Sequence, residues 1–166
     1  CEACKVGNAK FSSKPRKSHN QSRTFGERLL SDNSGIVRIQ SRGGCKYACV
    51  VVDEYSSWVW LRGLHSLKQT KDFIKHVIEV KLHQRDDRFV RYFRSDNGTE
   101  YINREMDLLL SQHGIERERT CAGSSFQNGK AERHIGILFS MMRKALYESR
   151  MPASFWIEAL HWAVYT

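Results

Sequence analysis

One segment of the chain, residues 89–101, ends a predicted strand in an acidic turn and constrains the fold more than any other feature. Residues 89–93 are aromatic and β-branched, which is typical of a strand. Asn97 and Gly98 follow, and this pair of residues commonly ends strands in turns. We therefore expect Asp96 to lie at the end of a strand, with its carboxylate held by the sheet and facing outward.

A second segment, residues 126–133, carries another acidic residue that can meet Asp96. Asn128 and Gly129 form a predicted loop, and the helix-forming residues after them put Glu132 early in a helix. Thirty-five residues, positions 97–131, separate the two acids. A strand-end Asp and an early-helix Glu can converge and share divalent cations, since Mg²⁺ prefers oxygen ligands.

The ordered motifs of the chain resemble those of the DDE integrases of retroviruses and LTR retrotransposons, and their wording is closest to the Copia-type branch. The motifs cover nearly the whole chain in the family's order: Ser31-Asp32…Gly35, Tyr47…Val52-Asp53-Glu54-Tyr55-Ser56, Arg94-Ser95-Asp96-Asn97-Gly98-Thr99-Glu100-Tyr101, Gly114-Ile115, Gln127-Asn128-Gly129-Lys130-Ala131-Glu132-Arg133 and Pro152…Phe155-Trp156…Glu158-Ala159. The resemblance implies an α/β, ribonuclease-H-like fold, a mixed five-stranded sheet flanked by helices.

The resemblance also implies a catalytic site of three carboxylates, Asp32, Asp96 and Glu132. They would hold Mg²⁺ or Mn²⁺ while the protein joins element DNA ends to target DNA. From the residues alone Asp32 is a weak candidate, because an Asp beside Asn-Ser-Gly is usually a turn residue. Asp53, in the turn after a Val-rich strand, is its rival for the first carboxylate, and the family pattern makes Asp53 structural.

In the segment around Glu132, the residues expected to bind nucleic acid are Asn128, Lys130 and Arg133. The net charge of +9 favours a polyanionic partner such as DNA. A homo-oligomer is also expected, made in the cytoplasm as part of a polyprotein and acting in the nucleus on chromosomal DNA. A membrane is not an expected partner, because no apolar run approaches the roughly 20 residues that span a bilayer.

Local patterns predict the order of strands and helices along the chain. A continuous Val run predicts an interior strand buried on both faces, and the charges of the strand at 115–119 are expected to face water. The aromatic residues of the last helix are assigned to the core. The predicted strands are 29–32, 45–52, 58–61, 89–93 and 115–119, and the predicted helices are 67–82, 103–113, 127–149 and a last one that opens at Pro152 and runs through Trp162.

Two domains are predicted. Residues 1–28 read as the end of an upstream zinc module followed by a basic linker, and residues 29–166 as a catalytic core that is truncated at its C-terminus. Cys1 and Cys4 have the C-x-x-C spacing of half a tetrahedral zinc site. The resemblance supplies the other half as an upstream His pair, so Zn²⁺ is expected only in the intact module.

The loop at residues 120–127 departs from the family pattern, because it lacks both prolines of a Thr-x-Pro-x-x-Pro-Gln-like sequence. Without them the loop should be more flexible, at an entropic cost in positioning target DNA. Two alternatives therefore stand beside strand transfer. One is an inactive or repurposed nucleic-acid-binding domain from a decayed element copy, and the other is a nuclease that hydrolyses DNA rather than joining it.

Overall fold

The computed structural model describes residues 22–82, 90–119 and 129–166. Within these ranges a mixed sheet is formed by β1 (Arg28–Asn33), β2 (Tyr47–Asp53), β3 (Val59–Leu64), β4 (Tyr92–Ser95) and β5 (Glu116–Arg119). The strand order is β3-β2-β1-β4-β5. β1 is antiparallel to β2 and parallel to β4, which is in turn parallel to β5. The predicted α/β fold with a five-stranded mixed sheet is confirmed.

Helices cover both faces of this sheet in the described part of the chain. They are α1 (Thr70–His76), α2 (Arg104–Gln112), α3 (Gly129–Ser149) and α4 (Trp156–Val164). A 3₁₀ turn, Leu67–Gln69, precedes α1, and a π-helical turn, Val77–Leu82, follows it. The helix predicted at 67–82 is thus present, although only its middle part is α-helical. Ser66 caps the 3₁₀ turn by accepting a hydrogen bond from the backbone N–H of Lys68.

Alternation along β1 divides the core into two apolar layers. Leu29 packs with Phe73 and Met106 on the face covered by α1 and α2. Leu30 packs with Leu138 and Trp156 on the face covered by α3 and α4. Because both faces of the sheet are covered, the Val run of β2 is entirely buried, as predicted.

The aromatic residues of the last helix do not all belong to the core. Trp156 is 2% exposed, whereas Trp162 is 53% exposed. The assignment of Trp162 to the core is therefore wrong. The physical reason is the helical period, because Trp162 does not share the face of α4 on which Trp156, Leu160 and Ala163 are buried.

The charges of β5 do not all face water, contrary to the sequence-based expectation. Glu118 accepts hydrogen bonds from Arg28 at 3.0 Å and from Arg94 at 3.0 Å. Arg28, which is 1% exposed, also donates to Glu54 Oε2 at 2.6 Å. Arginines of two neighbouring strands lie on one face of the sheet, and a buried charge requires paired partners. The edge strand supplies one of these partners.

Residues before the predicted domain boundary also pack onto the core. The backbone N–H and hydroxyl of Ser22 donate to Glu54 Oε2 at 2.9 and 2.8 Å. The rings of Phe25 and Trp60 lie 6.0 Å apart. Residues 22–28 of the predicted linker segment thus contact the sheet: Ser22 bonds to Glu54 in the turn after β2, and Phe25 packs against Trp60 of β3. Residues 1–21, with Cys1 and Cys4, lie outside the described residues.

No helix in the described ranges is long and apolar enough to cross a membrane.

Replacement of Arg28 should make the protein easier to unfold. Arg28→Met keeps the side-chain bulk but removes the nearest counter-charge of Glu54 and leaves Glu118 paired with Arg94 alone. Breaking a buried ion pair by removing one partner costs about 3 kcal/mol or more. We expect the urea midpoint to fall accordingly. Lys71→Met, which removes an ion pair with the exposed Glu105, is the control and should leave the midpoint unchanged. Equal effects of the two substitutions would contradict the assigned role of Arg28.

Candidate active site

Parallel strand pairing brings Asp32 and Asp96 to one edge of the sheet. Leu30 of β1 pairs with Arg94 of β4. Two residues further along each strand lie Asp32, near the end of β1, and Asp96, directly after β4. Parallel strands end at the same edge, so the two carboxylates lie at neighbouring strand ends.

The electrostatics of Asp32 reveal which acids surround it. Burial, the nearby charge of Asp96 and then the charges of Glu132 and Glu100 together raise the pKa of the Asp32 carboxyl to about 7. The backbone N–H of Asn33 donates to Asp32 Oδ1 at 2.9 Å and opposes the rise in pKa. Asp96, Glu132 and Glu100 therefore all lie close enough to Asp32 to act on its ionisation.

Glu132 reaches this edge from the first turn of α3. Ala131 beside it is fully buried against Leu30 and its neighbours, while Glu132 itself is exposed. Because residues alternate along a strand, Asp32 and Leu30 lie on the same face of the sheet, the face that α3 covers. The structure thus brings together the charges of all three predicted carboxylates, Asp32, Asp96 and Glu132.

A buried polar contact beneath the site fixes the turn after β4 to β1. The hydroxyls of Ser31 and Tyr101 lie 3.0 Å apart, and both residues are fully buried. The ring of Tyr101 also packs against that of Phe93, with centroids 6.3 Å apart. The backbone that carries Asp96 is therefore held at both ends, by β4 and by Tyr101.

Asp53 occupies the opposite edge of the sheet. It pairs with Leu29, three residues before Asp32, which corresponds to about 10 Å along the strand. Its carboxylate is fully buried and accepts hydrogen bonds from the N–H of Gly26 at 2.8 Å and from the N–H and hydroxyl of Ser56 at 2.7 and 2.6 Å. Asp53 therefore holds a turn and lies apart from the acidic edge.

The predicted DNA-binding residues are not alike in the structure. Lys130 is half-buried and donates a hydrogen bond to the backbone carbonyl of Glu54, and burial lowers the pKa of its ammonium, against the opposing charges of Glu54 and Asp53. Arg133 is exposed on α3. Asn128 lies outside the described residues. Arg133 is thus available to a phosphate, whereas Lys130 already has a partner inside the protein.

Glu100 is the acid of this edge that sequence reasoning missed. Its Oε1 accepts a hydrogen bond from Asn33 Nδ2 at 3.0 Å, across 67 positions of sequence. Glu100 lies in the motif around Asp96, but a Glu in a turn has no periodic pattern that marks it as functional. Only the long-range contact with Asn33 identifies it.

The oxygen-rich composition of the site suits a hard divalent cation. Among residues 22–82, 90–119 and 129–166, no group of three His, Cys, Asp or Glu side chains is arranged to hold a metal ion. Like charges repel, so a cation bound between these carboxylates would offset their charge. Two features fit such a cation. All the acids offer oxygen ligands, and the buried Oδ1 of Asn33 has no hydrogen-bond partner within the described residues.

The stability of the protein should depend on pH through Asp32. Its raised pKa means that the protonated form stabilises the fold at low pH, and that this stabilisation is lost as the pH rises from about 4 through about 7. Without divalent cations, Asp32→Asn should raise the free energy of unfolding at pH 8 by about 1–3 kcal/mol, allowing for solvent screening, and much less at pH 4. Urea titrations at the two pH values measure this, and equal effects would contradict the coupling.

The chain is similar to known proteins along most of its length. Its residues 26–125 match the integrase core domain family. It is 36% identical over 141 residues to the retrovirus-related Pol polyprotein from transposon TNT 1-94 of Nicotiana tabacum, covering 82% of this chain and 10% of that protein. It is 28% identical over 138 residues to the Ty1-NL2 Gag-Pol polyprotein of Saccharomyces cerevisiae, covering 81% of this chain and 8% of that protein. The chain therefore spans about a tenth of the curated relatives that it matches.

The fold also has a counterpart among solved structures. A chain of the simian T-cell lymphotropic virus intasome, solved in complex with a PP2A regulatory subunit, superposes with a TM-score of 0.69 at 20% identity. The match covers all of this chain and 56% of that one. This likeness supports the ribonuclease-H-like fold, and the matched sequence family supplies the assignment: the chain belongs to the integrase core domain family, in the branch of Copia-type retrotransposon Pol polyproteins.

Proposed function

We propose that this domain is a polynucleotidyl transferase that joins element DNA ends to target DNA, with Asp32, Asp96 and Glu132 holding Mg²⁺ or Mn²⁺. One observation carries the proposal: within an integrase core domain, the charges of Asp96 and Glu132 both act on the carboxyl of Asp32 at one edge of the sheet. Each of these acids comes from a different element, so the fold has to form before they meet.

The reaction exchanges one phosphodiester bond for another. A hydroxyl oxygen at the end of the element DNA attacks a phosphorus of the target DNA in line, its new P–O bond forms, and the bond to the leaving oxygen of the target strand breaks. Divalent cations bound at the site would activate the attacking oxygen and stabilise charge on the leaving oxygen. The protein's part is to hold carboxylates in fixed positions.

The three carboxylates differ in how firmly the protein holds them. Asp32 is bonded to the N–H of Asn33, and Asp96 Oδ1 accepts from the N–H of Gly98 at 3.1 Å. Glu132 projects from the first turn of a long helix and is exposed. Two of the acids thus accept a hydrogen bond from nearby backbone, while the third projects into solvent from α3.

The proposed partners are DNA and further copies of the chain. The net charge of +9 supports a polyanionic partner, and the structural neighbour is described as an intasome. Action on chromosomal DNA implies the nucleus. Cys1 and Cys4 remain proposed ligands of Zn²⁺ in an upstream module completed by a His pair.

A second candidate function is that of a nucleic-acid-binding domain without activity. It is considered because, in the described ranges, no three Asp, Glu, His or Cys side chains are arranged to hold a metal ion. Strand-transfer assays with Mg²⁺ and with Mn²⁺ separate the two functions. Joined products support the transferase, products that are only cut support a nuclease, and DNA binding without either product supports the inactive domain.

Substitution of Glu132 tests the proposed active site. Glu132→Gln keeps the size of the side chain and removes its charge, so the exposed position should fold normally. Strand transfer should fall by about 100-fold or more, because cation catalysis contributes several kcal/mol. DNA binding should survive. The matched control is Glu148→Gln, an exposed acid near the other end of α3, and it should retain activity. Full strand transfer by Glu132→Gln would refute the assigned role.

Arg133 and Lys130 should respond differently to substitution. Arg133→Ala should weaken DNA binding. It should also reduce the slope of log affinity against log salt by about one, the change expected when one phosphate contact is lost. Lys130→Ala should lower the melting temperature, because it removes the hydrogen bond to the carbonyl of Glu54, and should weaken DNA binding less. Binding titrations at several salt concentrations, with melting curves, measure both effects. A larger loss of DNA affinity in Lys130→Ala would reverse the assignment.

A further inference from the structure

One residue, Asn33, connects two acids of the site. Its backbone N–H donates to Asp32 Oδ1 at 2.9 Å, and its side-chain amide donates to Glu100 Oε1 at 3.0 Å. The same amide donates to the hydroxyl of Thr70 at 3.2 Å, which ties it to α1. The carboxylate of Glu100 is therefore positioned relative to that of Asp32 by a single, well-supported residue.

Gly98 makes a similar connection between Glu100 and Asp96. Its N–H donates to Asp96 Oδ1 at 3.1 Å. A Cβ atom at position 98 would lie 2.7 Å from Glu100 Oε2 and 2.8 Å from its Cδ, closer than a side chain can approach. The carboxylate of Glu100 thus lies directly against the backbone that bonds Asp96.

Glu100 approaches the acidic edge from the side opposite Glu132. Asn33 and Asp32 are neighbours in β1, so their side chains point to opposite faces of the sheet. Asn33 carries Glu100 on the face of α1, while α3 carries Glu132 on the other face. Asp32 lies on the face of Glu132, and the charges of both glutamates act on its carboxyl.

Glu100 lies close to other acids, and its charge acts on the carboxyl of Asp32. In the described part of the chain Glu100 forms no ion pair, whereas Glu54, Glu118 and Glu105 each do. It lies near Asp32, so like charges repel. The buried Oδ1 of Asn33 also has no hydrogen-bond partner within the described residues. An acid that is held beside two other acids without a counter-charge is suited to binding a cation from solution.

We propose that Glu100 is a positioning residue of the cation site: bonded to Asn33 and packed against the backbone of Gly98, it carries a negative charge that strengthens the binding of a divalent cation at Asp32 and Asp96. The inference rests on the proposed function and extends it by a fourth acid. Glu100 acts through its charge and through Asn33, and direct coordination is not required. Outer groups of this kind typically change metal affinity by about 10- to 100-fold.

The test separates the charge of Glu100 from its structural contact. Glu100→Gln keeps the length of the side chain and an oxygen that can accept from Asn33, but removes the charge. Glu105→Gln, an exposed acid paired with Lys71, is the matched control. Calorimetric titration with Mg²⁺ should give about tenfold weaker binding for Glu100→Gln and unchanged binding for Glu105→Gln.

Melting curves give a readout that a merely structural role would not produce. Without cations, Glu100→Gln should melt at the same temperature as the wild type or higher, because one repulsion is removed. With Mg²⁺, its stabilisation should be smaller than that of the wild type, because stabilisation follows affinity. Strand transfer should need about tenfold more Mg²⁺ for half-saturation and recover when Mg²⁺ is saturating.

Three outcomes overturn the proposal. Mg²⁺ affinity of Glu100→Gln within about twofold of wild type, beside weakened binding by Asp32→Asn, overturns the role of Glu100 and leaves the proposed function standing. Equal losses of melting temperature with and without Mg²⁺ reduce Glu100 to a structural residue. Unchanged Mg²⁺ binding by both Asp32→Asn and Glu132→Gln overturns the cation site itself, and this inference with it.

Discussion

The parallel pairing of β1 with β4 is the constraint on which the rest of the site depends. It carries the chain from Leu30 beside Arg94 to Asp32 beside Asp96, so two acids distant in sequence end at one edge. Antiparallel pairing has the opposite result, as the pairing of β1 with β2 demonstrates. There Asp53 lies opposite Leu29 and at the far edge, where it holds a turn. Strand direction, rather than residue type, thus separates the candidate ligand Asp32 from the structural Asp53.

The two ends of the sheet handle buried charge in opposite ways. At the start of β1, Arg28 and Arg94 neutralise Glu54 and Glu118, and this network fastens the edge strand to the sheet. At the end of β1 the acids have no such partners in the described ranges, and burial and mutual repulsion raise the pKa of Asp32 to about 7. The apolar layers on both faces and the Ser31–Tyr101 contact offset this cost. The ion pairs at the start of β1 thus stabilise a fold that holds like charges close together at the end of β1.

The sequence predicted the strands, the order of elements, and the places of Asp96 after a strand and Glu132 early in a helix, because these depend on local patterns. It failed wherever a long-range contact decides the outcome. The charges of β5 pair with Arg28 and Arg94 on other strands, and Lys130 reaches the turn after β2. Glu100 is recognised only through Asn33, 67 positions away. Such contacts follow from the three-dimensional pairing of strands, and no pattern within a short window contains them.

The overall charge and the charge of the site have opposite signs, and this opposition limits what the site can accept. A net charge of +9 attracts a polyanion to the protein over distances set by ionic screening. At the edge where Asp32, Asp96, Glu100 and Glu132 meet, a phosphate would instead encounter like charge. A phosphodiester can approach these carboxylates closely only when a cation lies between them and offsets both. In the proposed function the net positive charge would therefore attract the nucleic acid, and its approach to the acidic edge would require the cation.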